Sequence, residues 1–155
     1  MSRLSVALCT YNGANYLSPQ LESIAAQTRP PDELVVGDDC STDGTVTLLE
    51  CFAERAPFPV RLQINETTLG TVKNFEKTIL RCQGDIIALC DQDDIWLPAK
   101  LARLEAVLDE KPDVGLVFSD AALIDEQSKP LGRRLWGFTF PASVRKRFQR
   151  GEQEH

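Results

Sequence analysis

The sequence predicts an α/β fold, a mostly parallel sheet with helices on both faces. Two observations carry this expectation. Short apolar runs recur along the chain, each closed by polar or glycine-rich residues. Amphipathic stretches with helical spacing separate them. Strands alternating with helices at this spacing mean a mostly parallel sheet covered on both faces.

Leu4 to Cys9 reads as the first buried strand, stopped by Tyr11-Asn12-Gly13. A helix follows from about Asn15 to Ala26, with Leu17, Leu21, Ile24 and Ala25 at helical spacing. Pro19 is expected in its first turn, where a missing N–H does no harm. Arg29-Pro30-Pro31 breaks the helix. Glu33 to Gly37 is the second strand. A helix from about Thr45 to Arg55 follows Asp38-Asp39-Cys40-Ser41-Thr42-Asp43-Gly44, with Ser41, Thr42 or Asp43 as candidate caps. Val60 to Ile64 is the third strand, and Thr71 to Cys82 the third helix, expected to end at Gly84. Ile86 to Cys90 is the fourth strand, followed at once by Asp91-Gln92-Asp93-Asp94. Pro98 to Asp109 reads as a helix with Leu101, Leu104 and Leu108 on one face. Val114 to Ser119 is the expected fifth strand.

The chain of 155 residues is long enough for one domain with a core. Its net charge of −6 argues against non-specific nucleic-acid binding. No apolar run approaches the ~20 residues that span a bilayer, and the six-residue run Leu4 to Cys9 is too short for a signal peptide. The cytoplasm is the expected compartment. The five cysteines contain no Cys-x-x-Cys pair and the single histidine is His155, which disfavours structural zinc. The apolar flanks of Cys9 and Cys90 predict reduced, buried thiols. Composition shifts near residue 128. Residues 129 to 150 hold Lys129, Arg133, Arg134, Arg145, Lys146, Arg147 and Arg150, with Trp136, Phe138, Phe140 and Phe148 and no acid. The expected organisation is a ligand-binding domain over 1–128 and a basic, aromatic tail over 129–155.

In open α/β sheets, ligands sit outside the carboxyl ends of the strands. That rule selects Thr10-Tyr11-Asn12, Asp38-Asp39 and Asp91-Gln92-Asp93-Asp94. Three aspartates within four positions repel one another unless a cation intervenes. Carboxylates suit Mg²⁺ or Mn²⁺, usually one or two of them together with substrate phosphates. Metal binding is therefore expected of Asp91 and Asp93, and capping of the next helix of Asp94. Asp39 is expected to bind a ligand and Asp43 to hold the Ser-Thr-Asp-Gly turn. Lys73, with Asn74 at the start of the third helix, could meet a phosphate or be a surface lysine. No Gly-x-Gly-x-x-Gly follows the first strand, and there is no Walker loop. The lack of an internal histidine excludes Ser-His-Asp and Cys-His sites.

Taken together, residues 3 to 128 resemble the family 2 glycosyltransferases. The resemblance rests on Ser5 through Gly13, Leu21-Glu22-Ser23-Ile24, Gln27-Thr28, and Glu33 through Thr45. It continues with Gly84-Asp85 and Asp91 through Pro98, then Lys100-Leu101. Asn65 to Gly70 with Lys73-Asn74-Phe75 resembles the bacterial rhamnosyltransferase-like members. The resemblance implies a GT-A, Rossmann-like fold. It implies a metal-dependent, inverting transfer of a sugar from a UDP- or dTDP-linked donor to a saccharide or lipid-linked saccharide acceptor, in cell-surface polysaccharide synthesis. Thr10, Tyr11 and Asn12 would line the base and ribose pocket, and Asp39 would accept the imide N–H. Asp93 would ligate Mn²⁺ or Mg²⁺ with Asp91 nearer the ribose, and Lys73 would lie near the diphosphate. Cys40 stands where glycine is usual. Family members carry the acceptor site and catalytic base further downstream, so the chain is expected to be an amino-terminal, donor-binding part. Asp120, after the expected fifth strand, is the remaining candidate base. Peripheral membrane contact through the basic tail is a further expectation. The rival readings are a nucleotidyltransferase, which would want a basic, glycine-rich loop after the first strand, and a non-catalytic nucleotide-sugar binder.

Overall fold

The computed structural model describes residues 2–150, with side chains to residue 146. The side chains of Arg147, Phe148 and Arg150, and residues 151–155 with His155, lie outside the described residues. The chain forms two compact units, Met1–Asp113 and Val114–His155.

The first unit alternates strand and helix. Its elements are β1 (Leu4–Thr10), α1 (Ala14–Ala25), β2 (Glu33–Asp38), α2 (Thr45–Ala53), β3 (Val60–Ile64), α3 (Thr71–Ile79), β4 (Ile86–Asp91) and α4 (Lys100–Glu110). The four strands are parallel in the order β3-β2-β1-β4. β1 and β2 are buried along their whole length, which accounts for their unbroken apolar runs. Side chains alternate across the sheet. Leu4, Val6, Leu8, Leu34 and Val36 join Leu17, Ile24, Leu49 and Phe52 in the main core. Burying each such side chain contributes about 1.5–3 kcal/mol. Residues of the other parity meet α3. The Cys9 thiol lies 3.6 Å from the Thr78 hydroxyl, and a Cβ on Gly37 would collide with the side chains of Thr78 and Asn74. A glycine at position 37 thus lets α3 lie close against β2.

The second unit holds a hairpin of β5 (Ala122–Ile124) and β6 (Pro130–Arg134), then α5 (Trp136–Thr139) and α6 (Ala142–Arg150). Asp125 closes the turn by accepting the N–H groups of Gln127 and Lys129, each at 2.9 Å.

Several expectations are corrected. Val114 to Ser119 forms no strand, and Leu116 and Phe118 are exposed. An apolar run becomes a strand only when a hydrogen-bonded ladder receives it, and here the ladder forms downstream, between β5 and β6. That hairpin lies within the second compact unit, which begins at Val114. Within the basic stretch, Arg134 pairs with Asp120 at 2.5 Å. Pro19 lies inside α1, beyond its first turn. Asn15, whose carbonyl it leaves unpaired, is exposed to water there. Gly84 does not cap α3, which ends at Ile79. Its role is close approach, because a Cβ would sit 2.7 Å from the Arg3 carbonyl oxygen and the Ser5 backbone nitrogen. Asp94 does not cap α4, which begins at Lys100 after Ala99. All five cysteines are free, with Cys9 and Cys90 buried as expected and Cys51 exposed. Burial raises the Cys9 thiol to about 11 and the Cys90 thiol further, so both are inert.

Candidate functional site

The register of the sheet assembles the site. Thr10 lies beside Asp38, and Cys9 beside Asp91, so the ends of β1, β2 and β4 meet at one edge. From β1 the chain builds outward through β2 and β3, then crosses to place β4 on the other side of β1. A doubly wound sheet opens a crevice at such a reversal. An open cleft of about 480 Å³ lies there, lined by Tyr11, Asp39, Gly70, Thr71, Asn74, Asp91, Gln92 and Asp93 among others.

On one wall, Tyr11 is 51% exposed. The neighbouring Thr10 is turned inward, donating its hydroxyl to Asp38 at 2.8 Å. Asn12 has φ of +48°, a left-handed conformation that asparagine tolerates. Its Oδ1 accepts the Thr42 N–H at 2.8 Å, and its own N–H donates to the Ser41 hydroxyl. Thr10 lines the cleft, while Asn12, outside its lining, holds the 41–42 turn. Asp43 accepts the N–H groups of Thr45 and Ala14, the turn-holding role expected of it. Cys40 adopts φ of +65°, the backbone conformation that a glycine would take most easily. Its thiol lies 2.8 Å from the Asn65 carbonyl oxygen.

Asp39 stands opposite, only 3% exposed. Its carboxylate accepts the N–H groups of Leu69 and Gly70, both at 2.8 Å, and the Asn65 amide at 2.9 Å. Burial alone would raise this carboxyl; these donors, with Lys77 nearby, hold it below the usual carboxylate range. Asp39 thus clamps the loop that delivers α3 to the cleft. Gly70, with φ of +82°, makes the sharp entry into that helix. Lys73 is exposed in the first turn of α3. The lysine in the network is Lys77, one turn on, which donates to Asn65 Oδ1 at 2.9 Å. Its signal was present as helical spacing from Lys73.

The third wall is acidic. Burial raises the Asp91 carboxyl, and the charges of Asp94 and Asp93 raise it further. Burial likewise raises Asp94, opposed by Lys100. The Lys100 ammonium lies 4.3 Å from the centre of the Trp96 ring. Among the described residues, no three acidic, histidine or cysteine side chains converge as a closed metal cage. Asp91 and Asp93 both line the cleft, and the charge of Asp93 acts upward on the Asp91 carboxyl. Mutual repulsion at the edge of a cleft fits a hard divalent cation that takes its remaining ligands from elsewhere.

Asp120 belongs to the second unit. It accepts from Arg134 Nε and from the N–H groups of Ala121 and Trp136. Burial acts upward on it, but these donors hold the carboxyl below its usual range.

A parallel α/β sheet with a polar, acidic cleft at its switch point is the architecture in which doubly wound folds bind their ligands. The glycosyl transferase family 2 signature matches residues 5–153, and the chain belongs to that family. An uncharacterised protein of Mycobacterium tuberculosis is 33% identical over 125 residues, which make up 79% of this chain and 36% of the relative. S. aureus TarS, solved in complex with UDP-GlcNAc, is similar with a TM-score of 0.64 and 30% identity, over 70% of this chain and 31% of that one. The mannosyltransferase PcManGT from Pyrobaculum calidifontis, in complex with GDP-Man and Mn²⁺, gives a TM-score of 0.68 and 29% identity, over 80% and 36%. The chain therefore spans about a third of the length of these relatives.

Proposed function

We propose that this chain is the donor-binding part of a metal-dependent, inverting glycosyltransferase. It would act on a nucleoside-diphosphate sugar, UDP- or dTDP-linked, with a saccharide or lipid-linked saccharide as acceptor. The observation that carries the reading is that Asp91 and Asp93 line one cleft together with Tyr11 and Asp39. TarS with UDP-GlcNAc and PcManGT with GDP-Man and Mn²⁺ support it by likeness.

In this reading Tyr11 covers the base, with Thr10 lining the cleft beside it and Asn12 holding the 41–42 turn. Asp39 presents its carboxylate toward the imide of a uracil or thymine while holding the 65–70 loop. Asp93 ligates Mn²⁺ or Mg²⁺, with Asp91 nearer the ribose. The cation, when bound, supplies charge neutralisation for the diphosphate leaving group. The positive end of α3, reached through Gly70 and Thr71, favours the same charge. Lys73 would add to this field from the surface. An acidic base would deprotonate the acceptor hydroxyl for in-line attack; Asp120, held by three donors, is poorly suited to that role. Residues 1–128 would hold the donor, and the basic stretch after them would lead toward the acceptor. Among the described residues no helix is long and apolar enough to cross a membrane. The exposed Leu131 and Phe138 beside Arg133 suit peripheral contact with an anionic membrane surface.

Calorimetric titration with UDP-, dTDP- and GDP-sugars in Mn²⁺ tests the reading. Saturable binding of a uridine or thymidine donor is expected; binding of none of the three would overturn it. Two substitutions separate ligand binding from loop anchoring. Asp39→Ala removes a charged acceptor from three donors, each such bond contributing about 1.5–3 kcal/mol. It is expected to lower both nucleotide affinity and the melting temperature. Asp43→Ala should lower the melting temperature while affinity changes little. An Asp39→Ala protein with unchanged melting temperature would show that the clamp on Leu69 and Gly70 stabilises nothing.

A further inference from the structure

The ladder between β1 and β4 ends at Cys9 and Asp91. Beyond it β1 continues only through Thr10, beside Asp38 of β2, so no β1–β4 pairing remains to hold Tyr11 against the acidic turn. Gln92 takes over. Its Oε1 accepts the Tyr11 N–H at 2.8 Å, and its Nε2 donates to the Tyr11 carbonyl at 3.0 Å. A primary amide offers the same donor and acceptor pair as a peptide group. The side chain thus adds one more rung after the last backbone pair. A carboxylate could not donate to the Tyr11 carbonyl, and an ammonium could not accept from its N–H.

Gly13 points to the same amide independently. Its φ is −102°, so its backbone does not call for glycine. A Cβ there would instead run into the Gln92 side-chain amide. Gly13 is buried and anchored by its N–H to the Thr45 hydroxyl at 2.8 Å, so it cannot readily move aside. The glycine leaves the space that the amide fills.

Asp91 and Asp93 flank Gln92 in sequence, and all three line the cleft with Tyr11. We propose that Gln92 is a positioning residue, fixing the span between the Tyr11 wall and the Asp91/Asp93 pair so that one ligand engages both at once. The inference rests on the donor-site reading above. A ligand held at two points binds well only when the distance between those points is fixed. Gln92 therefore governs how much the acidic wall adds to binding at the Tyr11 wall.

The test uses Gln92→Met, neutral and of similar length, and Gly13→Ala, which displaces the amide from the opposite side. In the ligand-free protein, Tyr11 amide exchange is expected to accelerate about tenfold in either variant, as a hydrogen bond of ordinary strength is lost. The gain in UDP affinity on adding Mn²⁺ should shrink about five- to tenfold in Gln92→Met, with the ligand-free melting temperature nearly unchanged. A merely structural role would lower the melting temperature and leave that gain intact. Gly13→Ala should accelerate Tyr11 exchange no further in the Gln92→Met background, because the amide hydrogen bonds it would break are already gone. Unchanged Tyr11 exchange, or an unchanged manganese-dependent gain, overturns the proposal. Failure of the parent chain to bind UDP with Mn²⁺ would instead overturn the donor-site reading, and Tyr11 exchange would still decide whether the amide joins the two loops.

Discussion

Stripping the divalent cation with EDTA is expected to weaken UDP binding by about tenfold or more, and Asp93→Ala to do the same in the presence of Mn²⁺. The reason is electrostatic. Asp91, Asp93 and Asp94 lie at one strand end, and burial with mutual repulsion already raises Asp91 and Asp94. Lys100 faces Asp94 and Asp91 but is itself partly buried beside Trp96. A diphosphate brought to this wall would meet more negative charge. A bound cation reverses that sign, since it becomes the largest local charge in the site. Its contribution to a diphosphate is several kcal/mol, and 1.4 kcal/mol is already tenfold. Asp94→Asn should have the smaller effect, because Lys100 offsets the Asp94 charge. Calorimetry with and without Mn²⁺ reads each value. Equal UDP affinity in the two conditions would remove the metal from the donor site.

The fold was largely legible because β1 and β2 are short apolar runs buried along their whole length, with β3 and β4 partly buried on either side of them. Glu33 through Gly37 could be read this way despite its acidic first residue. Strand ends supplied the site as well, since the rule that ligands lie at carboxyl ends needs only strand positions. What sequence could not supply was the direction of individual side chains. Lys73 and Lys77 lie one turn apart, and only the packing of α3 against β2 decides that Lys77 reaches Asn65. Thr10 and Tyr11 are neighbours, yet alternation turns the first into the sheet and the second outward. Gln92 was hidden between two better-known ligand types, and its partner is the backbone of Tyr11, which carries no side-chain signal. The apolar run Val114 to Ser119 misled because periodicity records hydrophobicity and not whether a partner strand is available.

Glu33→Ala is expected to destabilise the protein by about 3–5 kcal/mol, the usual cost of breaking a buried ion pair by removing one partner. That is a large part of the ~5–15 kcal/mol that holds a domain folded. Glu33 opens β2 and is 2% exposed. It accepts the Ser5 hydroxyl of β1 at 2.6 Å and the Gln83 N–H at 2.7 Å. It also pairs with Arg61 of β3 at 2.8 Å. The Ser5 hydroxyl oxygen in turn accepts the Gly84 N–H at 2.8 Å. One carboxylate therefore ties three strands to the turn that leads into β4. Burial acts to raise this carboxyl, but Ser5, Gln83 and Arg61 outweigh it and hold it below its ordinary value of 4.5. The pH dependence follows from that direction. The stabilisation is present above about pH 4.5, the unfolded value, and is lost as pH falls through the lower folded one. Glu33→Gln keeps the shape and an acceptor for Gln83 but removes the charge facing Arg61. It should melt below the parent at pH 7 and lose this acid-sensitive portion of stability. Arg61 is 34% exposed, so Arg61→Met should cost less than Glu33→Ala, because water can reach the guanidinium side of the pair. Melting curves from pH 7 down to pH 3 decide the point. Parallel pH profiles for the parent and Glu33→Gln would mean that the carboxylate gains no stability from being charged.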